Sequence, residues 1–373
     1  MQKLILFIIL FLCITSCDKS EDAQPQIEKV VITYMAGNNS LRQDIENAII
    51  RMEEGYTKKE NQKLLVYVKT DRHKSHLIDI NSKGDGKSDT LKTYYDMNSS
   101  SPNTLKNVIN EVKKLHKAKT YSLVMSSHGT SWFPENDIKF RSFGQDEGKE
   151  LSIKDLRIAL SDIKLDFILF DACYMSSIEV LYELKNSAKY IIASPSEVIS
   201  FGFPYEKVAN LFFENEEGLI KICKEYISFY DKQHGRFQSA NVAMIKTEAL
   251  NQVIDDLKRI LIKNSNKDLR IDNVQQLVFD DNVDYEAYDL LSFIKTNFNA
   301  DEVKSFKKKL DESLSYIGNT PSFNGKTVND FCGISIYYPQ KNRTNLLYNS
   351  YYTTYSFYRD SGIKILYGKL IGL

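Results

Sequence analysis

The sequence predicts an α/β fold with a mostly parallel central sheet, and three observations carry that reading. Short apolar runs rich in β-branched and aromatic residues alternate with amphipathic stretches along most of the chain, which is the signature of strands covered by helices. Two of those runs stop on chemically active side chains, His128 and Cys173, as expected of a sheet that binds its ligand beyond the carboxyl ends of its strands. The 373 residues are 42% hydrophobic and 26% charged, a composition that folds and is long enough to bury a large core.

Taken in order, Val30–Met35 reads as a buried strand, followed by Gly37-Asn38-Asn39-Ser40 and a helix over Leu41–Met52. Leu64–Lys69 is a second strand, and His76–Ile80 with Thr90–Tyr94 forms a hairpin across Gly84-Asp85-Gly86. Ser101-Pro102 opens a helix to about His116, with serine as N-cap and proline in the first turn. The strand Tyr121–Met125 runs into Ser126-Ser127-His128-Gly129, and residues 130–150 read as a loop. A helix over Ser152–Asp162 leads to the strand Asp166–Phe170, which ends in Asp171-Ala172-Cys173; a helix over Met175–Asn186 and the strand Tyr190–Ala193 follow. Phe201–Asp231 reads as mostly helical. The last third offers strands at Ala240–Ile245 and Gly333–Tyr338 and helices at Glu248–Lys263 and Asp301–Tyr316. No repeat or linker interrupts residues 28–373, so one domain with a C-terminal helical and strand elaboration is the simplest organisation.

The N-terminus carries a separate message. Lys3 precedes an apolar run, Leu4–Ile14, and then Thr15-Ser16-Cys17. A basic start, a short apolar core and small residues form a secretory signal; about 11 apolar residues fall short of the roughly 20 that span a bilayer. Ile14-Thr15-Ser16-Cys17 resembles a bacterial lipobox, which makes residues 1–16 a lipoprotein signal, Cys17 the lipidated residue and 17–27 an acidic polar tether. The alternative is a plain secretory signal with a chance cysteine. The expected location is an exported lipoprotein of the outer membrane or cell surface, attached to the membrane through its N-terminal lipid.

Lys+Arg and Asp+Glu both total 49, so no global field draws the protein to nucleic acid. With Cys13 lost and Cys17 lipidated, Cys173, Cys223 and Cys332 remain. Three scattered thiols make no disulfide framework, and in a monomer, the expected state, at least one stays unpaired. Catalysis is one reason for an exported protein to keep a thiol.

His128 and Cys173 lie 45 residues apart, each just past a strand. If the two strands are parallel neighbours, imidazole and thiol meet over one edge. A helix beginning near Met175 would put Cys173 at a helix N-terminus, where the thiolate is favoured. Gly129 lets the backbone approach a ligand, and its N–H with that of Cys173 forms a candidate oxyanion hole. Asp171 and Cys173, two apart in extended chain, face one side, so a carboxylate stands ready for a guanidinium.

These residues sit in blocks that resemble the clostripain family of cysteine peptidases: Leu123-Val124-Met125-Ser126-Ser127-His128-Gly129-Thr130-Ser131-Trp132, Phe143-Gly144-Gln145-Asp146 and Phe170-Asp171-Ala172-Cys173-Tyr174-Met175. Ile192-Ala193-Ser194-Pro195-Ser196-Glu197, Gly202-Phe203-Pro204-Tyr205 and Gly333-Ile334-Ser335-Ile336-Tyr337-Tyr338-Pro339 extend the likeness over most of residues 28–340. The resemblance implies a caspase-like α/β/α sandwich and endopeptidase activity on proteins or peptides, often after Arg or Lys, with His128 and Cys173 as the catalytic dyad. It places Asp171, Glu197 and Phe201 at the substrate pocket. Phe201 departs from the family, which tends to carry a second acid there, and this leaves room for a more apolar pocket. Some relatives cut themselves between the His and Cys blocks, for which this chain offers Lys139, Arg141 and Lys149. Some depend on calcium; nothing in this sequence reads as a metal site, and no cofactor is assigned. Two rival readings are a silent surface lipoprotein that binds peptide or host ligands on the same fold, and a cysteine amidase for small or cell-wall substrates.

Overall fold

A computed structural model describes residues 26–81, 88–133, 143–279, 287–339 and 345–371. The expected signal, the lipidation residue Cys17, the Gly84-Asp85-Gly86 turn and the candidate cleavage residues Lys139 and Arg141 lie outside the described residues.

The first twelve strands among the described residues are β1 (Ile27–Ala36), β2 (Gln62–Lys69), β3 (Lys74–Asp79), β4 (Asp89–Tyr95), β5 (Ala118–Ser126), β6 (Phe143–Asp146), β7 (Lys149–Leu151), β8 (Leu165–Asp171), β9 (Ala188–Ala193), β10 (Asn241–Lys246), β11 (Ala287–Asp289) and β12 (Leu314–Asn319). Nine of them form one sheet in the order β12-β10-β9-β8-β5-β1-β2-β3-β4. The central five, β9-β8-β5-β1-β2, are parallel, and each edge adds an antiparallel pair. The sequence does this because the central strands are continuous apolar runs, which only a sheet covered on both faces can bury.

Alternate side chains on each strand enter two separate cores, as the two-residue period requires. On β1, Val30, Ile32 and Tyr34 join one core with helices α2 (Pro102–Leu115), α3 (Ile153–Ala159) and α4 (Ile178–Leu184). Val31 and Met35 join the other, with α1 (Arg42–Gly55) and the long helix Glu216–Asp231. The expected α/β/α sandwich is what the chain forms. From β1 the chain goes outward to β2, β3 and β4, then returns to β5 on the other side of β1. That reversal opens a crevice at the carboxyl ends of β1, β5 and β8.

Several local expectations are corrected. The loop over 130–150 contains the β6–β7 hairpin, pinned where the buried Asp146 accepts from Asn38 Nδ2, Ser99 N and Ser99 Oγ. The helix expected to run to Tyr316 stops at Ser313, and β12 takes over as the sheet edge. The strand near Gly333–Tyr338 is only Ser335–Tyr337, and it pairs with β11 outside the main sheet. Ser101 caps α2 in position, with no side-chain bond.

The C-terminal elaboration holds the His128 segment in place. Trp132, fully buried, stacks on Phe133 and meets Tyr337, Tyr352 and Tyr355, and the Tyr355 hydroxyl donates to the Trp132 carbonyl at 2.9 Å. Such aromatic clusters add about 0.5–1.5 kcal/mol per ring pair beyond burial, so Tyr337, Tyr352 and Tyr355 brace the loop that follows β5.

Candidate active site

β5 pairs in parallel with β8, placing Ser126 opposite Asp171, so the chain leaves both strands side by side. His128 and Cys173 therefore line one cavity of about 180 Å³, together with Leu41, Asp44, Ile45 and Ala48 from the start of α1 and Val198, Ile199, Ser200 and Phe201 from the segment after β9. Gly129 packs against the Cys173 backbone: a Cβ there would stand 2.7 Å from the Cys173 carbonyl oxygen and 3.0 Å from Ala172 Cβ. Glycine is required at this crossing by close approach. The N–H groups of Gly129 and Cys173 take no backbone carbonyl partner among the described residues.

The expected helix at Cys173 is a correction. The first helical residue is Ile178, with Ser177 as its N-cap accepting from Val180 N. Residues 173–176 are turn, and Tyr174 sits at φ 60°, where its N–H bonds Ser196 O and the Ser176 N–H bonds Ser194 O. Those two bonds lay the cysteine turn along the segment after β9. The sulfur gains one backbone donor from it, Val198 N at 3.2 Å, instead of a helix terminus. Burial pushes the Cys173 thiol up to about 12, opposed by the Val198 amide and reinforced by the charges of Glu197 and Asp171. The thiol is therefore held in its neutral form in this conformation, although the residue as a whole is part-exposed. Cys223 and Cys332 are free and buried, with thiols pushed up by desolvation.

Sequence reasoning missed three groups around this pair. Ser40 Oγ lies 2.8 Å from His128 Nε2; it closes the Gly-Asn-Asn-Ser turn at the carboxyl end of β1, and proximity to the topological switch is the signal that points to it. Arg51 of α1 stacks its guanidinium 3.8 Å from the centre of the Phe201 ring, donates to Phe201 O at 2.7 Å and approaches Glu206 at 3.7 Å. Tyr205 donates to Asp171 Oδ2 at 2.8 Å.

Asp171 forms the buried floor. Its Oδ2 also accepts from Ser126 Oγ at 3.3 Å, and the Phe203 backbone amide adds to the groups that favour its charged form. Gly202, at φ 71°, covers the carboxylate so closely that any Cβ would overlap it. Desolvation raises the Asp171 carboxyl, with Tyr205 and the Arg51 charge pulling the other way. Phe201 does reach the cavity, but its ring is held between Arg51 and Phe229. Glu197 does not line this cavity. Its Oε1 accepts from Phe279 N at 2.9 Å, and it borders an adjacent hollow of about 470 Å³ with Arg236, Phe237, Ser239, Phe323 and Asn324, joined to the first through Ile199. Lys149 is exposed at the start of β7, paired to Asp146. Calcium takes 6–8 oxygen ligands, and the described residues contain no group of three or more His, Cys, Asp or Glu arranged to hold a metal.

The Clostripain family model matches residues 33–364. Clostripain of Hathewaya histolytica is 24% identical across 88% of this chain and 77% of its own length. A secreted C11 cysteine protease from Bacteroides thetaiotaomicron, solved with an irreversible peptide inhibitor, is 27% identical with a TM-score of 0.78, covering 90% of this chain and 99% of that one. An inactive zymogen C11 protease from Parabacteroides distasonis gives the same identity, TM-score and coverage. A clostripain from Bacteroides thetaiotaomicron in complex with the peptide inhibitor BTN-VLTK-AOMK is 25% identical with a TM-score of 0.51, covering 58% of this chain and 97% of that one. With the family model spanning nearly all of the sandwich, the chain belongs to the Clostripain family and is a cysteine peptidase.

Proposed function

We propose that the chain is an exported endopeptidase that cleaves protein or peptide chains after basic residues, with Cys173 as nucleophile and His128 as acid and base. The observation that carries this is the convergence of those two residues on one cavity at the carboxyl ends of adjacent parallel strands. The Cys173 thiol gives its proton to the His128 imidazole as sulfur bonds to the scissile carbonyl carbon. The oxyanion is received by the N–H groups of Gly129 and Cys173, each such donor being worth roughly 2.7–4 kcal/mol of barrier. Collapse expels the amine with the proton from His128 and leaves a thioester on Cys173. Water, deprotonated by His128, then releases the acid and restores the thiol. Ser40 orients the imidazole through its 2.8 Å contact.

Export is supported by the signal-like residues 1–16 and by the secreted relative, and tethering to the membrane through a lipid on Cys17 completes the reading. Incorporation of a clickable fatty acid that disappears in Cys17→Ser tests the tether. Basic preference is supported by the Asp171 floor and by the VLTK peptide bound to one relative. Self-processing falls at Lys139, Arg141 or Lys149, to be read as a new N-terminus after incubation. A fluorogenic peptide panel with Arg, Lys or Leu before the scissile bond decides the function. Turnover of the basic substrates by wild type and none by Cys173→Ala is expected; equal, negligible turnover by both proteins contradicts the reading and favours a silent binding module.

A further inference from the structure

The position that the family resemblance gives to a second pocket acid is Phe201, and its ring is occupied from both sides, by the Arg51 guanidinium at 3.8 Å and by Phe229 at 4.6 Å between centroids. An aromatic clamped this way offers a substrate cation only an apolar edge. The floor acid is also partly spent. Asp171 is buried, accepts from Tyr205 and Ser126 on one oxygen, and feels the positive charge of Arg51. Pairing a substrate cation with Asp171 alone would require complete desolvation of both charges, which consumes most of the Coulombic gain.

A second carboxylate enters the same cavity from a different element. Leu41, Asp44, Ile45 and Ala48 line it at the spacing of one face of α1, the family of side chains that a helix stacks along a single stripe. Asp44 is half-exposed, and no hydrogen bond or ion pair engages it among the described residues. Its neighbours in the stripe are aliphatic, as are Val198 and Ile199 across the cavity. A lysine or arginine stem fits such walls while its charged head stays partly hydrated.

We propose that Asp44 is the carboxylate that selects a basic substrate side chain in this pocket, replacing the acid absent from position 201. The inference rests on the peptidase reading above. The substrate stem lies between the α1 stripe and Val198–Ile199, and its head group meets Asp44 at the rim with the Asp171 carboxylate beneath it. Electrostatic choice is thereby moved from the strand β9 side of the pocket to the helix α1 side, at a place where water still reaches the pair.

The test uses acyloxymethyl-ketone probes carrying Lys, Arg or Leu, with labelling rates measured on wild type, Asp44→Asn, Asp44→Glu and Asp44→Lys. Asp44→Asn is expected to lower the Lys-to-Leu rate ratio about 10- to 100-fold, the range for losing a hydrogen bond to a charged group. Asp44→Glu is expected to restore most of the ratio, and Asp44→Lys to reverse it. A first-turn carboxylate also steadies its helix; that role alone would lower the melting temperature and leave the ratio where it was, which overturns the proposal. A wild-type ratio above one that Asp44→Asn does not change refutes Asp44 and spares the peptidase and its basic preference. A wild-type ratio below one refutes Asp44 and the basic preference together, while labelling of Cys173 by the Leu probe would keep the peptidase. Absence of labelling by every probe removes both readings.

Discussion

Replacing Gly129 by alanine puts a methyl group where this residue crosses the Cys173 backbone. The new Cβ would stand 2.7 Å from Cys173 O and 3.2 Å from Cys173 N, where ordinary contact begins near 3.4 Å. The neighbour is backbone held by the Tyr174 and Ser176 amide bonds to Ser196 and Ser194, so it cannot rotate away as a side chain would. The Cys173 peptide must retreat by about 0.7 Å, close to the 1 Å displacement that costs roughly 10²-fold in a positioned reaction. The sulfur and both candidate oxyanion donors move with it. We expect kcat on a basic fluorogenic peptide to fall about 10- to 100-fold, with KM changed far less because the α1 stripe and Asp171 stay in place. Overpacking of this kind destabilises by about 1–3 kcal/mol, so thermal unfolding of the variant serves to show that it folds. A folded Gly129→Ala that retains kcat within twofold of wild type would refute the claim that this crossing sets the nucleophile and its oxyanion donors.

Other expectations follow from named contacts. Ser40→Ala should lower kcat about 2- to 10-fold, the worth of one hydrogen bond, and shift the acid limb of the pH–rate profile, while Ser40→Thr restores both. Gly202→Ala must adopt φ 71° and overlap the Asp171 carboxylate; about 1–2 kcal/mol of backbone strain should appear as a lower melting temperature, together with a weakened preference for basic probes. Glu179, buried beneath the C-terminal elaboration with Tyr337 N and Tyr352 OH on one oxygen, has its carboxyl raised by desolvation from 4.5 to about 7. Because its folded value lies above its unfolded one, its contribution is fully present below pH 4.5 and is lost as pH rises through about 7. Thermal unfolding scanned over that window should show a decline that Glu179→Gln flattens; an unchanged slope would contradict it.

How much of this was legible in the sequence differs from element to element for physical reasons. The five parallel strands could be read because a strand covered on both faces must be almost wholly apolar, as Phe167–Phe170 is and as Val30–Met35 is apart from the buried Thr33. β12 was hidden because it is a part-exposed edge strand that continues a helix without a break; nothing in Leu314–Asn319 alternates strongly. The start of α4 was misplaced because Met175 and Ser176 look helical, whereas the positive φ of Tyr174 and the Ser177 cap delay the helix to Ile178. A tyrosine in the left-handed region gives no compositional warning.

The site divides in the same way. His128, Gly129, Asp171 and Cys173 were visible because strand ends in a parallel sheet announce themselves. Ser40, Arg51 and the Val198 amide were not, since each acts across a contact that only tertiary packing creates: 88 residues separate Ser40 from His128, 150 separate Arg51 from Phe201 and 25 separate Val198 from Cys173. Glu197 shows the converse. It belongs to a block that resembles the family, yet the turn after β9 directs it to Phe279 and the neighbouring hollow.

The central claim is that the Cys173 sulfur is the attacking atom. It is tested most directly by reacting the protein with a lysine acyloxymethyl ketone and mapping the adduct by mass spectrometry. One adduct on Cys173, absent when His128 is replaced by alanine, is the predicted result. An adduct on Cys223 or Cys332, or none on any cysteine of a folded protein, would contradict the account.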